Sequence, residues 1–288
     1  MLVFNRFFLL SAILFCTIHA GAQGKALEIA EKFFNSENYY DAITEYRRYI
    51  FFNSEKKDDN ISYAHYKIGL AYRNLGKWDE SLNALRKSIQ TVNTEYIRDE
   101  RKIDLAVVLI ASGNYSTAEF YLIKVEMFSN IPELKRKAAF FRGVSAIYSF
   151  KWEQSRNAFQ IYFNNHPERK HAELGKKLDF LLDKAQNTKY KCPKLAKILS
   201  TILPGSGQIY SGDWRNGINA LVINTATGYL LVNDLIKRQY LDAIFNSLFL
   251  FERFYRGNRY HAEESSKKYN QNINQKFVKK ILEIIKER

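Results

Sequence analysis

The chain has 288 residues, 46% of them hydrophobic and 26% charged, with a formal net charge of +14. That balance excludes wholesale disorder, which needs low hydrophobicity, and the length allows one large or two ordinary domains. Four prolines leave long helices permitted over most of the chain, and 21 Phe with 19 Tyr suit helix-on-helix packing.

The first residues, MLVFNRFFLLSAILFCTIHAGAQ, place one positive charge, Arg6, before an apolar run from Phe7 to Ile18. Ala20-Gly21-Ala22 then supplies the small-x-small pattern that signal peptidase requires. This order predicts a secretory signal peptide over 1–22, cut after Ala22. The run is shorter than the ~20 residues that span a bilayer. Cys16 follows Leu14-Phe15 and lacks the small residues of a lipoprotein site. Once 1–22 is removed Cys192 is the one thiol left, which permits no internal disulfide and no cysteine metal site. The protein is therefore expected in the periplasm or cell envelope, carrying no metal and no cofactor.

Over 26–167 four stretches align on a short polar turn, an aromatic residue and a small residue three positions later. They centre on Tyr39 and Ala42, Trp78 and Ser81, Tyr115 and Ala118, and Trp152 and Ser155. Each turn has helical periodicity on both sides, as in His65, Ile68, Gly69 and Tyr72 before Gly76, and Leu82, Leu85 and Ile89 after it. Small residues let two antiparallel helices approach, and the aromatic closes the end of their interface. Neither helix buries its apolar face alone, so successive hairpins must stack.

In HYKIGLAYRNLGKWDESLNALRKSI, with Gly69, Tyr72, Gly76, Trp78, Ser81 and Leu85, the chain resembles the tetratricopeptide repeat family. The fourth repeat keeps Gly143, Trp152, Ser155, Phe159 and Pro167, whereas the first has Glu37 where the turn glycine belongs. The resemblance implies an all-α solenoid over 23–187, about four repeats closed by a capping helix that ends at Gln186. It also implies a groove lined by the first helix of each repeat. There this chain has Tyr63, Tyr66, Leu70 and Arg73, then Ile103, Val107 and Ile110, then Phe140, Val144, Ile147 and Tyr148. That set is apolar and aromatic, so the expected ligand is an apolar segment of a protein or peptide. The contacts expected to bind it are Tyr63, Tyr66, Leu70, Arg73, Phe140, Val144 and Tyr148.

Residues 188–270 read as a second, smaller helical domain built around LPGSGQIYSGDWRNG. Gly207 and Gly212 have the spacing of a phosphate loop, but Asp213 stands where that loop needs a lysine. Tyr210 likewise breaks the dinucleotide pattern. The alternative is a tight reversal between short apolar helices, with Pro204 stopping the first and the glycines permitting close backbones. Pro204, Gly205, Gly207, Gln208, Tyr210, Gly212 and Gly217 also resemble the Pro-Gly-x-Gly-Gln-x-Tyr-x-Gly motif of small bacterial membrane domains. That resemblance implies a membrane-associated pair of hydrophobic helices. Asn219, Asn224, Thr225, Asp242 and Glu252 interrupt the apolar runs, which leaves a buried soluble hairpin as the other reading.

Residues 271–288 read as a basic amphipathic helix, with Ile273, Phe277, Ile281, Ile284 and Ile285 near one face. Residues 188–288 hold 17 Lys and Arg against 8 Asp and Glu, an excess suited to a membrane or another anionic envelope surface rather than to nucleic acid. No nucleophile, base or metal set has catalytic spacing: Ser206 lacks a nucleophile elbow, and the histidines at 65, 166, 171 and 261 are scattered. The expected molecule is a non-catalytic exported scaffold attached to the envelope membrane. The alternative is a soluble periplasmic structural or assembly adaptor.

Overall fold

The structure is a computed structural model and describes residues 25–53, 59–164 and 169–286. The signal peptide expected over 1–22, and the closing Pro167, lie outside the described residues. Among those residues every regular element is helical. The chain divides into two units, Met1–Lys176 and Lys177–Arg288.

The N-terminal unit is a run of antiparallel hairpins: α1 (25–35) with α2 (Tyr39–Asn53), α3 (Asp59–Asn74) with α4 (Trp78–Thr91), α5 (Glu95–Ala111) with α6 (Tyr115–Phe128), and α7 (Pro132–Tyr148) with α8 (Trp152–Asn164). Each expected small residue, Ala42, Ser81, Ala118 and Ser155, is fully buried. Twelve residues earlier on the partner helix stands another small residue: Ala30, Gly69, Ala106 or Gly143. A β-carbon on Gly69 would lie 2.7 Å from Leu85 Cγ, and one on Gly143 2.7 Å from the Phe159 ring. The Ser81 hydroxyl donates to the Gly69 carbonyl at 2.7 Å, and the Ser155 hydroxyl to that of Gly143 at 3.0 Å. Two cores result, one around Ala30, Ile43, Tyr46 and Ile68, the other around Leu85, Ile103, Leu109, Leu122 and Val125. These are the stacked hairpins the sequence spacing predicts.

One turn geometry joins the two helices of every hairpin. The second residue after the first helix is left-handed, at Glu37 (φ 62°), Gly76 (71°), Gly113 (80°) and Phe150 (59°). Two backbone N–H groups there reach back to free carbonyls, as Gly76 does to Arg73 and Lys77 to Tyr72. Equivalent pairs form at 37–38, 113–114 and 150–151.

α9 (Arg169–Gln186) straddles the division between units and buries Leu174, Leu178, Leu182 and Ala185. The C-terminal unit continues with α10 (Pro193–Ile202), α11 (Ser206–Tyr210), α12 (Trp214–Ile236), α13 (Tyr240–Phe245), a π-helical segment (Asn246–Phe251) and α14 (Glu252–Lys286). α10, α11 and α12 all pack on α14. The helix is unbroken from Tyr240 to Lys286, so 271–286 is the end of α14 and not the separate amphipathic helix expected. No proline interrupts Glu252–Lys286, and the helix runs through it unbroken.

The four-fold turn recurs twice in this unit, at Gly212 (φ 82°) and Arg238 (59°). The same backbone bonds form, Asp213 to Gln208 and Gln239 to Asp234. An aromatic residue and a buried small residue follow in register, Trp214 with Gly217 and Tyr240 with Ala243.

Candidate functional site

On the first helices of the repeats, polar side chains bridge neighbouring hairpins. Glu31 on α1 accepts from the Tyr46 hydroxyl at 2.5 Å and pairs with Lys67 on α3 at 2.9 Å. Burial raises its pKa, but hydrogen bonds from Tyr46, Lys67 and Tyr63 outweigh that and hold the carboxyl below its ordinary value. The Tyr66 hydroxyl donates to Asp104 on α5 at 2.7 Å, and Arg101 lies over the Tyr66 ring at 5.1 Å. Burial and these carboxylates push the Tyr63 and Tyr66 phenols up. Lys137 on α7 faces Glu100 on α5 at 3.9 Å, and Arg142 grips Glu126 through two bonds of 2.6 and 2.9 Å.

The expected groove residues separate accordingly. Tyr63, Tyr66, Leu70 and Arg73 on α3 and Val144 on α7 are half-buried, and Tyr148 on α7 is exposed. Tyr148 stacks on Tyr115 with ring centres 6.0 Å apart. Phe140 does not belong with them: it is 8% exposed, its ring against Phe141, Phe159 and Tyr162. Ile103 and Ile147 are fully buried in the core as well. The face is therefore less apolar than its residue types suggested, because Glu31 and Asp104 engage the tyrosine hydroxyls. Periodicity on one helix gives no sign of which acid on the next helix faces it, and Glu31, Asp104 and Arg101 were missed for that reason.

The glycine stretch in the C-terminal unit packs around a buried polar node. Ser200 on α10 donates to Gln208 Oε1 at 2.8 Å and accepts from the Gly207 N–H at 2.9 Å. Asn258 on α14 accepts from the Gly205 N–H at 2.9 Å and from Gln208 Nε2 at 3.1 Å, and donates to the Ser200 carbonyl at 2.8 Å. All three side chains are at least nine-tenths buried. A β-carbon on Gly207 would overlap the Ala196 carbonyl oxygen, and one on Gly205 that of Gly217. Gly205 and Gly212 need positive φ, whereas Gly207 and Gly217 need the space. Pro204 follows the end of α10 at Ile202. The Tyr210 hydroxyl accepts from the Cys192 N–H at 3.2 Å, and Lys191 lies over its ring. The Gly205 and Gly207 N–H groups are both used internally.

The surface of this unit is unusually apolar. α12 exposes Ile218, Val222, Tyr229, Val232, Leu235 and Ile236. The adjoining segment exposes Tyr240, Leu241, Ile244, Phe245, Leu248 and Phe249, with Leu241 at 84%. Lys237 and Arg238 lie at the turn between them. Among the described residues no helix is long and apolar enough to cross a membrane. Nor does any group of three or more His, Cys, Asp or Glu there suit a metal ion.

A family model for the tetratricopeptide repeat matches residues 63–91, from within α3 to the end of α4. No curated protein matches the chain. The match and the consecutive packed hairpins together mark the chain as tetratricopeptide-like, and such repeats serve protein–protein interaction.

Proposed function

We propose that this tetratricopeptide-like chain is an exported, non-catalytic scaffold that rests on an envelope membrane through its C-terminal unit and holds a protein partner on its repeat face. The observation that carries the membrane half is the exposed apolar surface of α12, α13 and the π-helical segment, bordered by Lys237 and Arg238. Large apolar side chains concentrated in this way mark a contact surface. An interfacial position needs no spanning helix, since an amphipathic surface can bury its apolar side only to the depth of the headgroups.

The test is flotation of the purified mature chain, residues 23–288, with lipid vesicles. Binding is expected, weakened but not abolished by high salt, and reduced at least tenfold in L241D/F245D. Protein that stays soluble with every vesicle would sink the membrane reading and favour the soluble adaptor, whose apolar surface a protein partner would cover. The buried polar residues Asn224, Thr227 and Asp234 along α12 are what that second reading has in its favour.

For the repeat face, the half-buried Leu70, Arg73 and Val144 and the exposed Tyr148, on the first helices of two repeats, support an apolar peptide segment as the occupant. Affinity capture with L70D/V144D should lose the partner that the parent retains. Unchanged recovery from a folded variant would make the array a spacer.

A further inference from the structure

Between α12 and α14 lies a cleft of about 450 Å³, within the range of small-ligand sites. Its wall carries Asn216, Asn219 and Asn224 from α12, and Arg253 and His261 from α14, with Ile223 and Phe254 beside them. No carboxylate lines it. Asn224 is 4% exposed; its amide nitrogen donates to the Ala220 carbonyl at 2.7 Å, and its Oδ1 is buried with no hydrogen-bond partner. A buried acceptor left so is costly, by about 1–3 kcal/mol, unless something brings a donor to it. Arg253 makes no ion pair among the described residues, although Arg256 one turn on is paired with Glu252 at 2.5 Å.

We propose that this cleft takes the headgroup of a membrane phospholipid whose phosphodiester is accompanied by its own N–H or O–H donor. The inference rests on the membrane reading above. Arg253 and the asparagine amides supply donors to the phosphodiester oxygens, and the absence of carboxylates leaves its charge unopposed. Asn224 Oδ1 accepts from the headgroup's ammonium or hydroxyl. Ile223 and Phe254, each about two-fifths exposed, continue the apolar surface of α12 from the cleft toward the acyl chains. A free phosphoester would use the polar wall but leave that apolar border idle, which is why the lipid is the chosen source.

Phosphatidylethanolamine and phosphatidylcholine vesicles separate these ideas cleanly, because both headgroups are zwitterionic and only the first has an N–H donor. The mature chain is expected to bind ethanolamine-lipid vesicles about tenfold more tightly, the effect of roughly one hydrogen bond to a charged group. N224L should remove that preference while leaving the weaker choline-lipid binding in place, whereas R253Q, which loses a contact to the phosphodiester that both lipids share, should weaken binding to both. Equal binding to the two vesicles would overturn the headgroup assignment and spare the membrane reading. No binding to either would end both. Calorimetric affinity for soluble phosphoethanolamine equal to that for the vesicles would make the cleft a metabolite site and overturn the lipid assignment. Should N224L prove misfolded by circular dichroism, the parent's preference between the two vesicles decides the headgroup donor, and R253Q, at an exposed position, decides the phosphodiester contact: unchanged binding of R253Q to both vesicles would overturn the cleft as the site.

Discussion

At Glu37 and Phe150 an ordinary L-residue holds the left-handed conformation that glycine holds at 76 and 113. A β-carbon there crowds the next carbonyl, at a cost of about 1–2 kcal/mol, and glycine removes the clash. Glu37 is exposed and has no ion pair among the described residues, so E37G should raise stability by about 1 kcal/mol in urea unfolding. G76A should lower it by at least as much, although nothing lies within 4 Å of the added carbon. An E37G variant less stable than the parent would show that the turn's strain is not in that residue. Glu31 gives a pH signature. Its pKa is depressed in the fold, so its stabilisation is present above the ordinary carboxylate value near 4.5 and is lost as pH falls through the lower folded value. Acid unfolding of E31Q should therefore be shallower below about pH 4.5 than that of the parent. Parallel curves would remove Glu31 from the acid transition.

Pairs of helices meet where a glycine faces a large side chain, and the cost of filling that space depends on what must move. At Gly143 the obstacle is the Phe159 ring, itself 2% exposed and held by Phe140 and Phe163, so G143A should cost about 1–3 kcal/mol. Gly207 meets backbone, the Ala196 carbonyl, which cannot turn aside. G207A should speed proteolysis within 193–286 and leave 59–164 as protected as before; retained protection throughout would contradict the tight packing. These two sites also show what the sequence could and could not disclose. The hairpins of the repeats were legible because the αL residue, the aromatic and the small residue fall within a few positions of one another. Gly212, Trp214 and Gly217 obey the same rule, but the additional glycines at 205 and 207 drew attention to a phosphate loop and a membrane motif instead. Asn258 was not legible at all: its partners are fifty or more residues away, and an asparagine in a long polar helix has no periodicity to betray it. Phe140 failed for the opposite reason, since its position on α7 is near the open face while its bulk turns into the core.

Across the whole molecule the two units differ in charge as well as surface. Residues 23–187 hold 26 Lys and Arg against 22 Asp and Glu, nearly balanced beside the 17 against 8 of 188–288. Screening lengths fall from about 10 Å at 0.1 M salt to about 3 Å at 1 M, so only the electrostatic share of any membrane contact should be salt-sensitive. The shared turn has a further consequence, which concerns time. Its contacts close loops of about a dozen residues, the Ser81–Gly69 and Ser155–Gly143 bonds among them. Such closures take well under a microsecond, and hairpins built on them need no distant partner to begin. The C-terminal unit has two such turns, one of them beside its glycine node, but the node joins Ser200 to Asn258 across 58 residues, and Asn270 reaches back to the Lys191 carbonyl across 79. Entropy makes those the late events of folding. G143A should then slow refolding, whereas N258A should act mainly by hastening unfolding, as stopped-flow kinetics would show. The same turn is thus a starting point along the repeats, while in the C-terminal unit it is fixed in place only once the far end of the chain has arrived.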